Sequence, residues 1–125
     1  MPEIDSVLHR FARRTIECIF TPHVVSMDRG ILSTIYTRPQ NDVSAEDALQ
    51  AIDDFYADHP FVRVTPDLPA TKHVSGTNFC DITVRSNRGM LVLISALDNL
   101  IKGASGAAVQ NFNMMFGFQS TTALL

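Results

Sequence analysis

GMLVLISALDNLIKGASGAAVQNFNMMFG, residues 89–117, holds the decisive change of pattern. Its first part, Met90 to Leu97, is apolar apart from Ser95. A bilayer span needs about 20 apolar residues, so this run reads as a buried strand. From Leu97 onward the apolar residues recur at helical spacing: Leu100, Ile101, Ala104, Ala108, Phe112 and Met115. A helix from Asp98 to Gly117 is predicted, with that stripe as its ordinary packing face. A second face carries Gly103, Gly106, Ala107, Gln110 and Met114. A glycine inside a helix costs about 1 kcal/mol relative to alanine. Close approach of a backbone or a ligand is the usual compensation. Two readings stay open at this point. The helix packs tightly on a neighbour, or its start presents free N–H groups and Asn99 to a ligand.

Working outward, Asn78 to Arg85 reads as a strand joined to Gly89–Leu97 through Ser86-Asn87-Arg88. Phe61 to Val64 is a short strand, and Thr65 to Pro69, with two prolines, is loop. Ser44 with Asp47 three residues on is a capping pattern for a helix to about Ala57. Its apolar face is Ala48, Ile52, Phe55 and Tyr56. Ile31 to Arg38 is rich in β-branched and aromatic residues, and Pro39-Gln40-Asn41-Asp42 ends it. Thr15 to Phe20 alternates Ile16, Cys18 and Phe20 and reads as a strand interrupted by Thr21-Pro22-His23. Asp28-Arg29-Gly30 is a turn signal, so the two runs are expected to form a hairpin. Pro2-Glu3-Ile4 opens an amphipathic helix that reaches about Arg14.

This order of elements predicts an α+β fold with a mostly antiparallel sheet and helices on one face. No repeat or long linker divides the chain, so residues 1–125 are expected to form a single domain. With 46% hydrophobic and 18% charged residues the chain can build a core. A net charge of -3 offers no basic field for nucleic acid, and Arg10, Arg13 and Arg14 fit a solvated helix face. Pro2, Glu3 and Asp5 do not suit a signal peptide. Cys18 and Cys80 lack metal-ligand spacing and are expected as packed, reduced thiols in a cytoplasmic protein. No metal site is expected. His9 and His59 read as surface residues, and His73 is open to either reading.

The stretch Asp98 to Gly106, continuing through Val109 to Gly117, resembles the C-terminal signature of N-acetyl-γ-glutamyl-phosphate reductase. Further blocks resemble it in family order. They are Pro2-Glu3-Ile4, Phe20-Thr21-Pro22-His23 with Met27 and Arg29-Gly30-Ile31-Leu32, and Pro60 to Val64. Thr71-Lys72, Val74 and Gly76 to Ile82 complete the set, so the resemblance covers nearly the whole chain. It implies a fold like the C-terminal domain of glyceraldehyde-3-phosphate and semialdehyde dehydrogenases. The implied role is the substrate and dimerisation domain, with helix 98–117 packed toward a cofactor domain.

Family members reduce N-acetyl-γ-glutamyl phosphate with NADPH in arginine biosynthesis, releasing the semialdehyde and phosphate. A thiolate forms a thioester that hydride reduces, and a histidine serves as acid/base. In the family that histidine immediately precedes the block that begins here at Pro2. The catalytic cysteine precedes it too, and no Gly-x-Gly-x-x-Gly loop occurs in these residues. No catalytic residue is therefore assigned, and the isolated chain is expected to be inactive. By position, Asn99 would contact the nicotinamide amide of NADP and Gly103 would lie close to it. His23, Arg29, Lys72 and Asn78 would line the pocket for the anionic acyl phosphate. A bland role stands beside each: structural hydrogen bonding for His23, solvated surface for Arg29 and Lys72.

The implied partners are a Rossmann domain or a full-length reductase, and a second copy of the chain, with no membrane involved. A non-catalytic homo- or hetero-oligomerisation module is the alternative. So is a piece of an aspartate-semialdehyde dehydrogenase, which shares the Asp-Asn-x-x-Lys-Gly start. The Gln110 to Gly117 tail and the Thr-Pro-His block favour the acetylglutamyl family. Ser26, Ala107 and Ala123 depart from its usual proline, glutamine and glycine.

Overall fold

The computed structural model describes residues 2–39 and 41–125. Gln40, in the predicted turn over 39–42, lies outside them. The elements are α1 (Pro2–Ala12), β1 (Ile31–Thr37), α2 (Ala45–Tyr56), β2 (Val62–Val64), α3 (Thr71–Val74), β3 (Cys80–Asn87) and β4 (Met90–Leu97). A π-helical turn (Ile101–Ser105) then leads into α4 (Gly106–Met115).

The four strands form one sheet in the order β1-β4-β3-β2. β4 pairs antiparallel with both β1 and β3, and only the short β2 runs parallel to β3. The α+β class and the mostly antiparallel sheet are as the sequence predicts. Arg88 and Gly89 turn the β3–β4 hairpin, both at positive φ (49° and 75°). Primed two-residue turns require that conformation, and they match the twist of the flanking strands. The turn is therefore Arg88-Gly89 rather than Ser86-Asn87-Arg88, and β3 runs on two residues to Asn87.

The core lies over the β3–β4 side of the sheet. Phe61, Val74, Val84, Leu91, Val92 and Ala96 are buried there. α2 packs along β2 and β3, and α3 against β4. The Ser44–Asp47 capping box forms as read: Asp47 N–H donates to Ser44 Oγ (3.0 Å) and Ser44 N–H to Asp47 Oδ2 (3.2 Å). The hydroxyl bond holds the Asp47 carboxyl below its ordinary value. Phe55 is not part of the packing face. It is exposed, in edge contact with Tyr56.

The predicted hairpin does not form. Thr15 to Phe20 forms no strand and lies in no ladder, although β1, paired with β4 along one edge, sits at the margin of the sheet. α1 holds that segment instead. His9 Nε2 donates to the Ile16 carbonyl (2.9 Å), and Cys18 N–H donates to Asp5 Oδ1 (3.3 Å). Alternation reports which side chains share a face but leaves the pairing partner unspecified. Residues 15–28 thus form an arm, mostly exposed, that carries α1 away from the strands.

Candidate functional site

The corner between β4 and the π turn gathers most of the candidate residues. Asp98 is fully buried. Its Oδ1 accepts from Leu100 N (2.8 Å), Ile101 N (2.9 Å) and Arg29 Nε (3.0 Å), and its Oδ2 accepts from Gly76 N (2.7 Å). Burial alone would raise this carboxyl. The bonds from Gly76, Ile101, Arg29 and Leu100 outweigh it and hold the group well below the usual carboxylate range. Asp98 is thus the cap of the helical segment that follows, and it consumes N–H groups of the first turn. Of the two readings left open, a helix start with free N–H groups is the one this arrangement disfavours.

Asn99 lies beside it, and its Oδ1 accepts from Gly30 N (2.8 Å). Among the described residues no acceptor pairs with its Nδ2. Gly30 stands at φ 109°. A Cβ there would meet the Thr71 side chain at 2.7 Å. This close approach brings the start of α3, with the exposed Lys72, against the same corner. Arg29 and Asn99 therefore meet at Asp98, with Thr71 packed against Gly30 and Lys72 following it, exposed.

The helix that follows is seated differently from the sequence reading. Gly106 and Asn113 are buried and Ala107 and Gln110 half-buried, whereas Ala104, Ala108, Phe112 and Met115 are exposed. Of the glycine-bearing face, Gly106, Ala107 and Gln110 turn inward while Gly103 and Met114 are exposed, and the predicted apolar stripe faces out beyond the π turn. The π turn accounts for this. Gly103, Ser105 and Gly106 donate to the carbonyls five residues back, of Asp98, Leu100 and Ile101. Each turn of π helix holds more residues than an α turn. Side chains beyond Ser105 therefore fall out of phase with those before it.

Under Gly106 sits Asn78, 1% exposed. Asn78 Nδ2 donates to Gln110 Oε1 (3.2 Å), and so does Lys102 Nζ (2.8 Å). Asn78 Oδ1 is buried without a hydrogen-bond partner. The Lys102 ammonium also lies 5.3 Å from the centre of the Phe61 ring. Burial lowers its pKa, partly countered by Cys80, and burial raises the Cys80 thiol, partly countered by Lys102. Asn78, expected in a substrate pocket, supports the seat of α4 in this arrangement. Gly103 has only ordinary contacts, with Asp98 O at 3.4 Å and Leu97 at 3.5 Å, and is exposed. His23 lies on the arm, exposed, its Nδ1 against the Thr21 carbonyl (3.1 Å).

Asp98, Gln110 and Lys102 are the residues that sequence reasoning left without a role. An aspartate just ahead of an apolar helix was the available signal for the first. No group of three or more His, Cys, Asp or Glu side chains able to hold a metal occurs among the described residues. Cys18 and Cys80 are both half-buried free thiols. No helix among the described residues is long and apolar enough to cross a membrane.

Residues 1–99 match the model described as "Semialdehyde dehydrogenase, dimerisation domain", and the chain belongs to that family. Within it, the chain is similar to enzymes named N-acetyl-gamma-glutamyl-phosphate reductase. It is 52% identical over 128 residues to that of Citrifermentans bemidjiense, covering 99% of this chain and 37% of the relative. It is 52% identical over 129 residues to that of Rhodopirellula baltica and 47% over 128 to that of Magnetococcus marinus, with the same shares covered. The chain thus spans 37% of the length of these relatives, and the match falls on their C-terminal part.

Proposed function

We propose that this chain is the substrate-side, self-associating part of an NADPH-dependent reductase acting on N-acetyl-γ-glutamyl phosphate. Alone it is inactive, and it requires a cofactor-binding domain for turnover. The observation that carries this reading is the outward stripe of α4. Phe112, Met114 and Met115 of α4, and Phe116 just after it, are all more than half exposed. An apolar patch of this kind marks a surface made to meet another protein surface, and the similar reductases are longer proteins.

NADPH would supply the hydride when bound, leaving as NADP+. The start of the helical segment is closed to a phosphate, because Asp98 already takes the N–H groups of Leu100 and Ile101. An amide fits it better. Asn99 Nδ2 is a donor suited to the carboxamide oxygen of a nicotinamide, with Gly103 leaving room beside it. Arg29 and Lys72 offer positive charge to an acyl phosphate from the same corner, and His23 would join them only with the arm rearranged. Asn78 contributes by holding the helix. The site chemistry available to these residues is binding and orientation, with the thiolate and acid/base group supplied by the other domain.

The test is an NADPH-oxidation assay with the acyl phosphate, using the chain alone and then mixed with the cofactor-binding portion of a close relative. Activity is expected only in the mixture. Turnover by the chain alone, above all if it survives in Cys18→Ser and Cys80→Ser, overturns the reading.

A further inference from the structure

The edge of the sheet at β1 is open. Its seven residues, Ile31–Thr37, include no charged residue and no proline. Ile31, Leu32, Ile35 and Tyr36 are roughly half exposed or more, and they alternate between the two faces. Natural edge strands are guarded by lysine, proline, a bulge or a cover, because bare N–H and C=O groups invite another strand. β1 has none of these guards within its length. The same chain also carries an unpaired strand-like segment. Thr15 to Phe20 is β-prone and joins no ladder, and α1 bonds it on one side through Ile16 O and Cys18 N. In an extended chain the backbone groups of Glu17 and Ile19 point to the opposite edge. Ile19 is 95% exposed. Nothing among the described residues covers it.

Resting on the self-association proposed above, we infer that two copies pair by exchanging arms, Thr15–Phe20 of each lying along the open edge of β1 of the other. The matched dimerisation-domain model ends at residue 99, so it includes the arm and the whole sheet and excludes α4. That range favours this edge over the α4 stripe as the contact between copies. Arg29 and Gly30, fixed to Asp98 and Asn99, set the point where the arm leaves the sheet. The arm is therefore carried outward from a rigid corner. Each exchange removes one bare edge and covers Ile19, and two-fold symmetry makes both copies equivalent.

The 125-residue chain is studied by sedimentation over a range of concentrations, with hydrogen exchange of the Thr15–Phe20 and Ile31–Thr37 amides in parallel. The expected result is a dimer whose arm and β1 amides become protected together as the dimer forms. Ile19→Pro should weaken the dimer at least tenfold while leaving monomer unfolding unchanged, since Ile19 touches nothing that holds the monomer. A monomer at every concentration overturns both this inference and the self-association reading. A dimer with freely exchanging arm amides, or one unmoved by Ile19→Pro, overturns arm exchange alone. Protection independent of concentration means a hairpin within one chain and also overturns it.

Discussion

Gly106 lies so close over Asn78 that a Cβ on the glycine would stand 2.3 Å from Asn78 Oδ1 and 2.9 Å from the Ile101 carbonyl. One of these neighbours is backbone of the π turn, so relief requires the helix to move. Gly106→Ala is expected to destabilise by about 2 kcal/mol, the usual range for overpacking. Gly103→Ala is the matched control. Its contacts are ordinary, so helix propensity should leave it neutral or stabilised by roughly 0.5 kcal/mol. Urea unfolding of the two variants measures both, and equal effects would contradict the geometry.

Asp98→Asn keeps the shape of the side chain but removes its charge and turns one acceptor into a donor facing Arg29 or Gly76. Loss of a buried, bonded carboxylate should cost about 3 kcal/mol in chemical denaturation. A cost no larger than that of a surface substitution, roughly 0.5 kcal/mol, would show that the corner is not held by this group.

Acid should act through the same carboxylate. Its folded pKa is depressed below the ordinary aspartate value near about 4. The unfolded chain therefore takes up the proton first as pH falls. Stability from Asp98 is present in full above that value and declines below it, as pH drops toward the folded pKa. Thermal unfolding at a series of pH values should show this acid-side slope in the parent chain and a shallower one in Asp98→Asn.

Ala123 occupies the left-handed region, at φ 61°, where the family resemblance would place a glycine. That conformation costs a residue with a Cβ about 1 kcal/mol, whereas glycine adopts it freely. Ala123→Gly is expected to raise stability by roughly 0.5 kcal/mol, after its greater unfolded-state entropy is subtracted. A lower melting temperature in calorimetry would refute this.

How much of this was legible in the sequence depended on whether the deciding physics was local. The Ser44–Asp47 cap, the β3–β4 hairpin and the strand character of Ile31–Thr37 are short-range and were read correctly. The pairing of β1 with β4 is a relation between segments far apart in sequence, and alternation in Thr15–Phe20 carries no information on whether a neighbouring strand takes it up. The stripe through Phe112 and Met115 was real but its direction was misread, because the count assumed α-helical spacing across a π turn. Glycines at 103 and 106 looked alike, yet only Gly106 meets a neighbour that would have to move. At the candidate site, Arg29, Lys72 and Asn99 come from the family resemblance alone, since no local pattern singles them out. Asp98, whose carboxylate ties Arg29 and Gly76 to the start of the last helical segment, reads in the sequence only as a helix start.

In polymer terms Asp98 is a branch point. Through Arg29 it closes a loop of 69 residues, and through Gly76 one of 22. Chain entropy opposes each closure, and the cost rises only slowly with loop size. One small side chain thus ties the exit of the arm, the segment after α3 and the start of the last helix into one knot. Those three segments should loosen together in exchange experiments, as a single cooperative unit, rather than fray one after another.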